Sequence, residues 1–356
     1  MSSDGRFDIR CAIPSYMLEQ IQLNGPEELR AAATEALQRS ESLRAERATF
    51  QSQLASGELA RPPEAVSDPA SVGRRVFDAA GWEMLPGTLV RSEGDPPSGD
   101  TAADEAFAGA GLTYFFFRDE YGRNSIDDRG MGLDATVHYG TRFNNAFWNG
   151  RQMVYGDGDD VLFSRFTKDL DIVAHELSHG VIQYEANLDY QFQSGALHES
   201  FADVLGTLVK QRSFGQEAKD ADWLIGTEVL IGGQYAMRSL QAPGTAYVDH
   251  SILGTDPQGA TMDEYQDVGY FNDRGGVHLN SGIPNHAFYL AAMELGGHAW
   301  EKAGRIWYRA LCEQLQRDAD FQTAATALVQ VAREQFGAGS LEEKAVEKAW
   351  REVKVL

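Results

Sequence analysis

The apolar positions change their period part-way along the chain, and the change divides it. From Asp171 onwards they recur at three- and four-residue intervals. Phe201, Val204, Leu205, Leu208 and Val209 form one stripe, and residues 306–315, 324–336 and 341–353 repeat the pattern. A 3.6-residue period marks helices with one buried face, so this half is expected to be almost wholly helical. Between residues 74 and 170 the runs are shorter and mixed. Residues 75–78, 88–91, 136–140 and 153–155 are strand-like pieces bounded by Gly, Pro and Asp turns, while 104–121 reads as a helix carrying Phe107, Leu112 and Tyr114 to Phe117. Ahead of them, Ile9, Ile13, Tyr16, Met17, Leu18, Ile21 and Leu23 form an apolar set interrupted by Pro14. Residues 26–54 are rich in helix formers, with Pro26 suited to a first turn, and the Pro-rich stretch 56–69 reads as a linker.

The expected fold class is α+β. A mixed α/β lobe with strands occupies 74–183, a mainly α-helical lobe 184–356, and a short helical unit 1–60 joins through a linker at 61–73. A cleft between two lobes is where ligand sites usually lie. A small unit on such a linker suggests a removable prosegment, although exposed linkers also carry simple extensions.

The junction holds the richest chemistry. In His175-Glu176-Leu177-Ser178-His179 the two histidines stand four apart, one above the other on a helix, and can aim both imidazoles at one ion. Glu176 is displaced around the helix, near the metal without binding it. Five residues alone recur by chance. Glu199, twenty residues on, offers a third ligand at the start of the Phe201–Val209 stripe, and Asp203 lies one turn beyond it on the same face. A ligating histidine usually donates its second ring N–H to a carboxylate, and Asp203 is the candidate for that role on His175.

Charge narrows the partners. The 53 acidic residues outweigh 31 basic ones for a net charge of −22, which opposes binding to nucleic acid or anionic lipid. Two cysteines, Cys11 and Cys312, provide no disulfide framework. The N-terminus shows no apolar core of a secretory signal, and no apolar run is long enough to span a bilayer. The expectation is a soluble monomer, without membrane insertion, that is cytoplasmic or exported by a route without a cleaved signal.

Five segments, 144–150, 157–159, 173–180, 195–203 and 275–285, make the chain from about residue 74 to its end resemble the thermolysin family of zinc endopeptidases. The Ile13-to-Leu18 segment is similar to the short prosegment of the protealysin-like branch, with Pro14-Ser15 where that branch usually has two prolines. The resemblance implies His175, His179 and Glu199 as ligands of one catalytic zinc and Glu176 as the base. It implies Tyr190 and His278 at the developing oxyanion, with Asp273 behind His278. Arg238, Asn145 and the Ala146 carbonyl would hold substrate backbone. Phe163, Phe166, Ile172 and Met237 would line an apolar pocket for the residue after the cleaved bond. Peptide and protein substrates and the chain's own prosegment are the implied partners.

Larger members of the family carry a paired calcium site beside the zinc helices. Here Asp171 and Asp222 remain, while Lys210, Leu224 and Thr227 stand at otherwise acidic positions. An ammonium removes both a ligand and the charge balance calcium needs, so Lys210 is expected to replace the ion between Asp171 and Asp222. The other reading is a solvated lysine on a helix face. Calcium is then not required there, and weak cation sites elsewhere, as near Asp263, Glu264 and Asp267, stay open. Cys11 reads either as a small buried hydrophobe or as a prosegment thiolate filling the open zinc position. Two other functions share these residues: a non-catalytic peptide- or protein-binding module that keeps the peptidase fold, and a zinc amidase for non-peptide substrates.

Overall fold

The computed structural model describes residues 10–38 and 72–356. Residues 1–9 and 39–71, with all but the last two residues of the linker, and the side chains of Arg10 and Cys11 lie outside the described residues, so the thiolate reading of Cys11 does too.

Six strands form one mixed sheet: β1 (Arg10–Cys11), β2 (Arg75–Asp78), β3 (Thr88–Ser92), β4 (Asp134–Val137), β5 (Ala146–Trp148) and β6 (Met153–Tyr155), in the order β1-β5-β6-β4-β2-β3. The parallel pairs β2/β4 and β4/β6 need crossovers, and helix α3 (Thr101–Tyr121) lies in the chain between β3 and β4. Asp100 caps α3 by accepting the Ala103 N–H, and Gly122 closes it at φ 72°, a left-handed cap that glycine adopts without strain. The edge strand β1 belongs to the N-terminal unit, together with α1 (Ser15–Asn24) and a second helix, α2, over 27–38. It pairs antiparallel with β5, Arg10 opposite Trp148 and Cys11 opposite Phe147.

The second half contains α4 (Leu170–Tyr184), α5 (Phe192–Phe214), α6 (Asp273–Asn280), α7 (Gly282–Leu295), α8 (Ala303–Glu313), α9 (Phe321–Phe336) and α10 (Leu341–Glu352). The wholly helical expectation needs one correction. Leu224–Ile225 (β7) and Arg238–Ser239 (β8) pair as a two-stranded sheet, too short to leave a period-2 signature. Helices α4 and α5 lie against each other through Gly206, where an added Cβ would stand 2.6 Å from the Asp171 carbonyl oxygen and 3.1 Å from the His175 backbone nitrogen. Only a residue without a side chain permits that approach, and it sets the helices that carry His175 and Glu199 side by side. Among the described residues no helix is long and apolar enough to cross a membrane.

Candidate active site

Helix α4 buries twelve consecutive residues from Asp171 to Ile182, so His175, Glu176 and His179 are shielded from water. The four-residue spacing sets the histidine rings edge to face, with centroids 4.6 Å apart and planes 78° to each other. Glu199 reaches across from α5. Its carboxylate oxygens lie 3.5 Å from His175 Nε2 and 3.6 Å from His179 Nε2. His175 Nε2 and Glu199 Oε2 are buried and have no hydrogen-bond partner. Donors about 2.0–2.1 Å from a tetrahedral ion stand roughly 3.4 Å apart, so the two imidazoles and the carboxylate fit zinc by spacing and by ligand type. The donor atoms of His175, Glu176 and His179 also fall within 4.8 Å of one another, which puts Glu176 at the same point. Its Oε2 accepts the Trp148 N–H at 3.0 Å, a tether from β5 that the sequence did not disclose.

Asp203 is the hub behind the histidines. Its Oδ1 is 2.8 Å from His175 Nδ1, and both carboxylate oxygens accept from Arg238, at 2.8 and 2.9 Å. Asn285 donates a further bond at 2.9 Å. Burial alone would raise this carboxyl, but Arg238 and His175 outweigh burial and hold it well below the ordinary carboxylate range. A fixed carboxylate on Nδ1 leaves Nε2 as the ring's donor to a metal. Sequence reasoning missed the bidentate Arg238 pair, because nothing local links positions 35 apart. Asn285 had a weak signal as the last residue of the 275–285 motif.

On the opposite wall, the Tyr190 hydroxyl donates to Glu199 Oε1 at 2.5 Å and lies 3.3 Å from His278 Nε2. Asp273 Oδ1 stands 2.7 Å from His278 Nδ1, and Asp273 Oδ2 accepts the His278 backbone N–H at 2.7 Å. Burial pulls the imidazole down, and the carboxylates of Asp273 and Glu199 raise it above its ordinary value. His278 sits on helix α6, which Arg274, Gly275 and Gly276 break with positive φ angles.

The groups expected to hold substrate backbone are engaged by the N-terminal unit. The Ala12 N–H donates to the Ala146 carbonyl at 3.0 Å, its carbonyl accepts from Arg238 at 3.2 Å, and the Ile13 N–H donates to Asn145 Oδ1 at 2.9 Å. Phe163, Phe166, Ile172 and Met237 are all fully buried, with the two phenylalanine rings 6.0 Å apart.

The acidic cluster forms around Lys210. Its Nζ donates to Asp171 Oδ2 at 2.9 Å and to the Leu224 carbonyl at 3.2 Å, and lies 3.6 Å from Asp222. Asp169, which the sequence reading passed over, joins them: burial and the neighbouring Asp171 raise its carboxyl to about 7, against the lowering pull of Lys210. Of the other acidic group, Asp263 pairs with Lys354, and Glu264 closes a capping box with Thr261.

Comparison with known proteins agrees with this geometry. Residues 67–183 match the family profile described as the catalytic domain of thermolysin metallopeptidases, and residues 186–355 match that of their alpha-helical domain. An "Extracellular metalloprotease" of Pectobacterium carotovorum subsp. carotovorum is 50% identical over 327 residues, covering 91% of this chain and 90% of that relative. "Protease PrtS" of Photorhabdus sp. (strain Az29) is 45% identical over 344 residues, 96% and 91% of the two chains. Among solved structures, the precursor of protealysin, a metalloproteinase from Serratia proteamaculans, superposes with a TM-score of 0.86 at 45% identity, over 98% of this chain and 100% of that one. Two helices that converge on a metal-sized point, a two-lobed scaffold and matches over nearly the whole length lead to one statement: this chain belongs to the thermolysin family of metallopeptidases.

Proposed function

We propose that the chain is a zinc endopeptidase, made as a precursor, that hydrolyses peptide bonds followed by a bulky apolar residue. The observation that carries this reading is the convergence of His175, His179 and Glu199 within 3.5–3.6 Å contacts, with Glu176 beside them. A zinc ion held there supplies a Lewis acid and lowers the pKa of water towards neutrality. Every other part belongs to the chain. Glu176, tethered by the Trp148 N–H, takes a proton from the attacking water and delivers it to the leaving nitrogen. Tyr190 and His278 face the carbonyl oxygen as it gains charge, and donors placed there favour the transition state over the ground state. Asp273 holds His278 in the tautomer that presents Nε2.

Arg238, Asn145 and Ala146 hold substrate backbone in an extended pose, and the apolar residues Phe163, Phe166, Ile172 and Met237 receive the side chain. An apolar pocket discriminates by only about 1–3 kcal/mol per methylene, so the preference is broad. The hydrogen bonds of Ala12 and Ile13 to the same three residues support a prosegment, residues 1 to about 60, that restrains the enzyme or assists its folding until proteolysis near the 61–73 linker. The name of the Pectobacterium relative favours action outside the cell.

The test is cleavage of a peptide library by the wild type and by Glu176→Gln at equal zinc content. The wild type should cut before bulky apolar residues, and the variant should lose roughly 10²–10⁴-fold in rate. An equally active variant, or a zinc-loaded wild type that leaves peptides intact, would overturn the reading.

A further inference from the structure

Phe271 is fully exposed, the barest large apolar side chain among the described residues. A single exposed apolar residue is ordinary. This one belongs to a built ledge. The Tyr270 ring lies 5.6 Å from Phe271 and 6.4 Å from Phe192, itself 42% exposed, and the Arg274 guanidinium stands 5.3 Å from the Tyr270 ring. The backbone beneath is strained. Phe192, Asp273 and Arg274 hold φ of 49°, 45° and 55°, a region that bulky side chains rarely enter, and a Cβ on Gly275 would stand 2.3 Å from the Phe192 ring. Such strain persists where the surroundings enforce it, and it concentrates at sites of recognition.

The position of the ledge gives it an occupant. Phe192 follows Tyr190 by two residues and lies against Gly275, and Phe271 precedes Asp273 by two, so the ledge is built on the two chain segments that carry Tyr190 and His278. The chain that fills the cleft points the same way. Residues 10–13 run antiparallel to β5, and the Ser15 hydroxyl comes within 3.5 Å of Asp273 Oδ1. There the N-terminal unit turns into α1, with Pro14 as its N-cap, and leaves Phe271 bare. A polypeptide that stayed extended would continue past Asp273.

We infer that Phe192, Tyr270 and Phe271 form a subsite for an apolar side chain of polypeptide substrates a few residues beyond the cleaved bond. The inference rests on the endopeptidase reading and deepens it. Aromatic faces bind apolar and aromatic side chains with little selectivity, so the ledge favours long, unfolded substrates over short peptides. Phe271 is the residue that gives most of the exposed face.

The test uses the full chain after its own processing, with two quenched-fluorescence peptides that share the residues around the cleaved bond. One stops two residues after it; the other continues for several residues and carries a phenylalanine. Phe271→Ser should lower kcat/KM for the long peptide by roughly tenfold while leaving the short one unchanged, and Phe271→Tyr should retain the long-peptide rate. An equal effect on both peptides, or none on either, would overturn the inference while leaving the endopeptidase reading intact. So would a variant that changes only the sedimentation behaviour, since the ledge would then join copies of this chain. Failure of the wild type to cut either peptide would remove the endopeptidase reading, and the subsite with it.

Discussion

Replacing Lys210 by methionine should uncover a need for calcium. Asp171 is completely buried, accepts from Lys210 and from the Gly226 N–H at 3.1 Å, and shares a side-chain hydrogen bond with Asp169. Removal of the ammonium leaves a buried carboxylate held only by the Gly226 N–H and its hydrogen-bonded neighbour Asp169, a change that costs about 3–5 kcal/mol when a buried pair is broken from one side. Asp222 adds little to this figure, because its side chain is 49% exposed and surface pairs contribute at most about 1 kcal/mol. At a few degrees per kcal/mol the melting temperature should fall by roughly 10 °C. Asp169 gives the change a pH signature. Its carboxyl titrates at about 7 in the folded chain, raised by burial and Asp171 from the usual 3.8. The folded state therefore holds a proton that the unfolded state releases, and stability declines as pH rises from about 4 through 7. Without Lys210 that decline should extend to higher pH. Differential scanning calorimetry of both proteins, with and without calcium after chelation and zinc restoration, is the assay. The wild type should ignore calcium and Lys210→Met should regain part of its loss when calcium is added. A wild type that gains several degrees from calcium, or a variant that melts with it, would refute the idea that the lysine replaces the ion.

Two further outcomes follow from the packing and the charges. Gly206→Ala forces a methyl against the Asp171 carbonyl and the His175 backbone, so it should cost about 1–3 kcal/mol and weaken zinc retention in a chelator competition; near wild-type behaviour in both would contradict the close helix approach. His138 lies 2.9 Å from Asp157 and 3.1 Å from Asp100, and its bond to Asp157 raises it from 6.5 to about 9. The stability it contributes is fully present below 6.5 and lost as pH rises through 9. After solvent screening this amounts to about 1 kcal/mol, so His138→Gln should flatten the stability profile over that range, and an unchanged slope would count against the pair.

Local spacing made much of the site legible. His175, Glu176 and His179 are set by one helical turn, as are Glu199 and Asp203, and strand β6 fell where its apolar run ended in a Gly-Asp turn. What stayed hidden depends on contacts remote in sequence. Arg238 meets Asp203 from 35 positions away and Ala12 from 226. Strands β7 and β8, of two residues each, are shorter than any periodic window. Helix α6 passes through four positive-φ residues, Asp273 to Gly276, yet that irregular turn is what brings Asp273 to His278. The family resemblance supplied the roles of Tyr190 and His278, which spacing alone would have left as a packed ring and a structural imidazole.

The most direct test of the whole account is the anomalous scattering of the purified protein measured on both sides of the zinc absorption edge. The account predicts one strong peak bounded by His175 Nε2, His179 Nε2 and the Glu199 carboxylate, and no metal peak between Asp171 and Asp222, where the Lys210 ammonium stands. A crystal of zinc-replete protein with no peak among the three ligands, or with its zinc elsewhere, would contradict it.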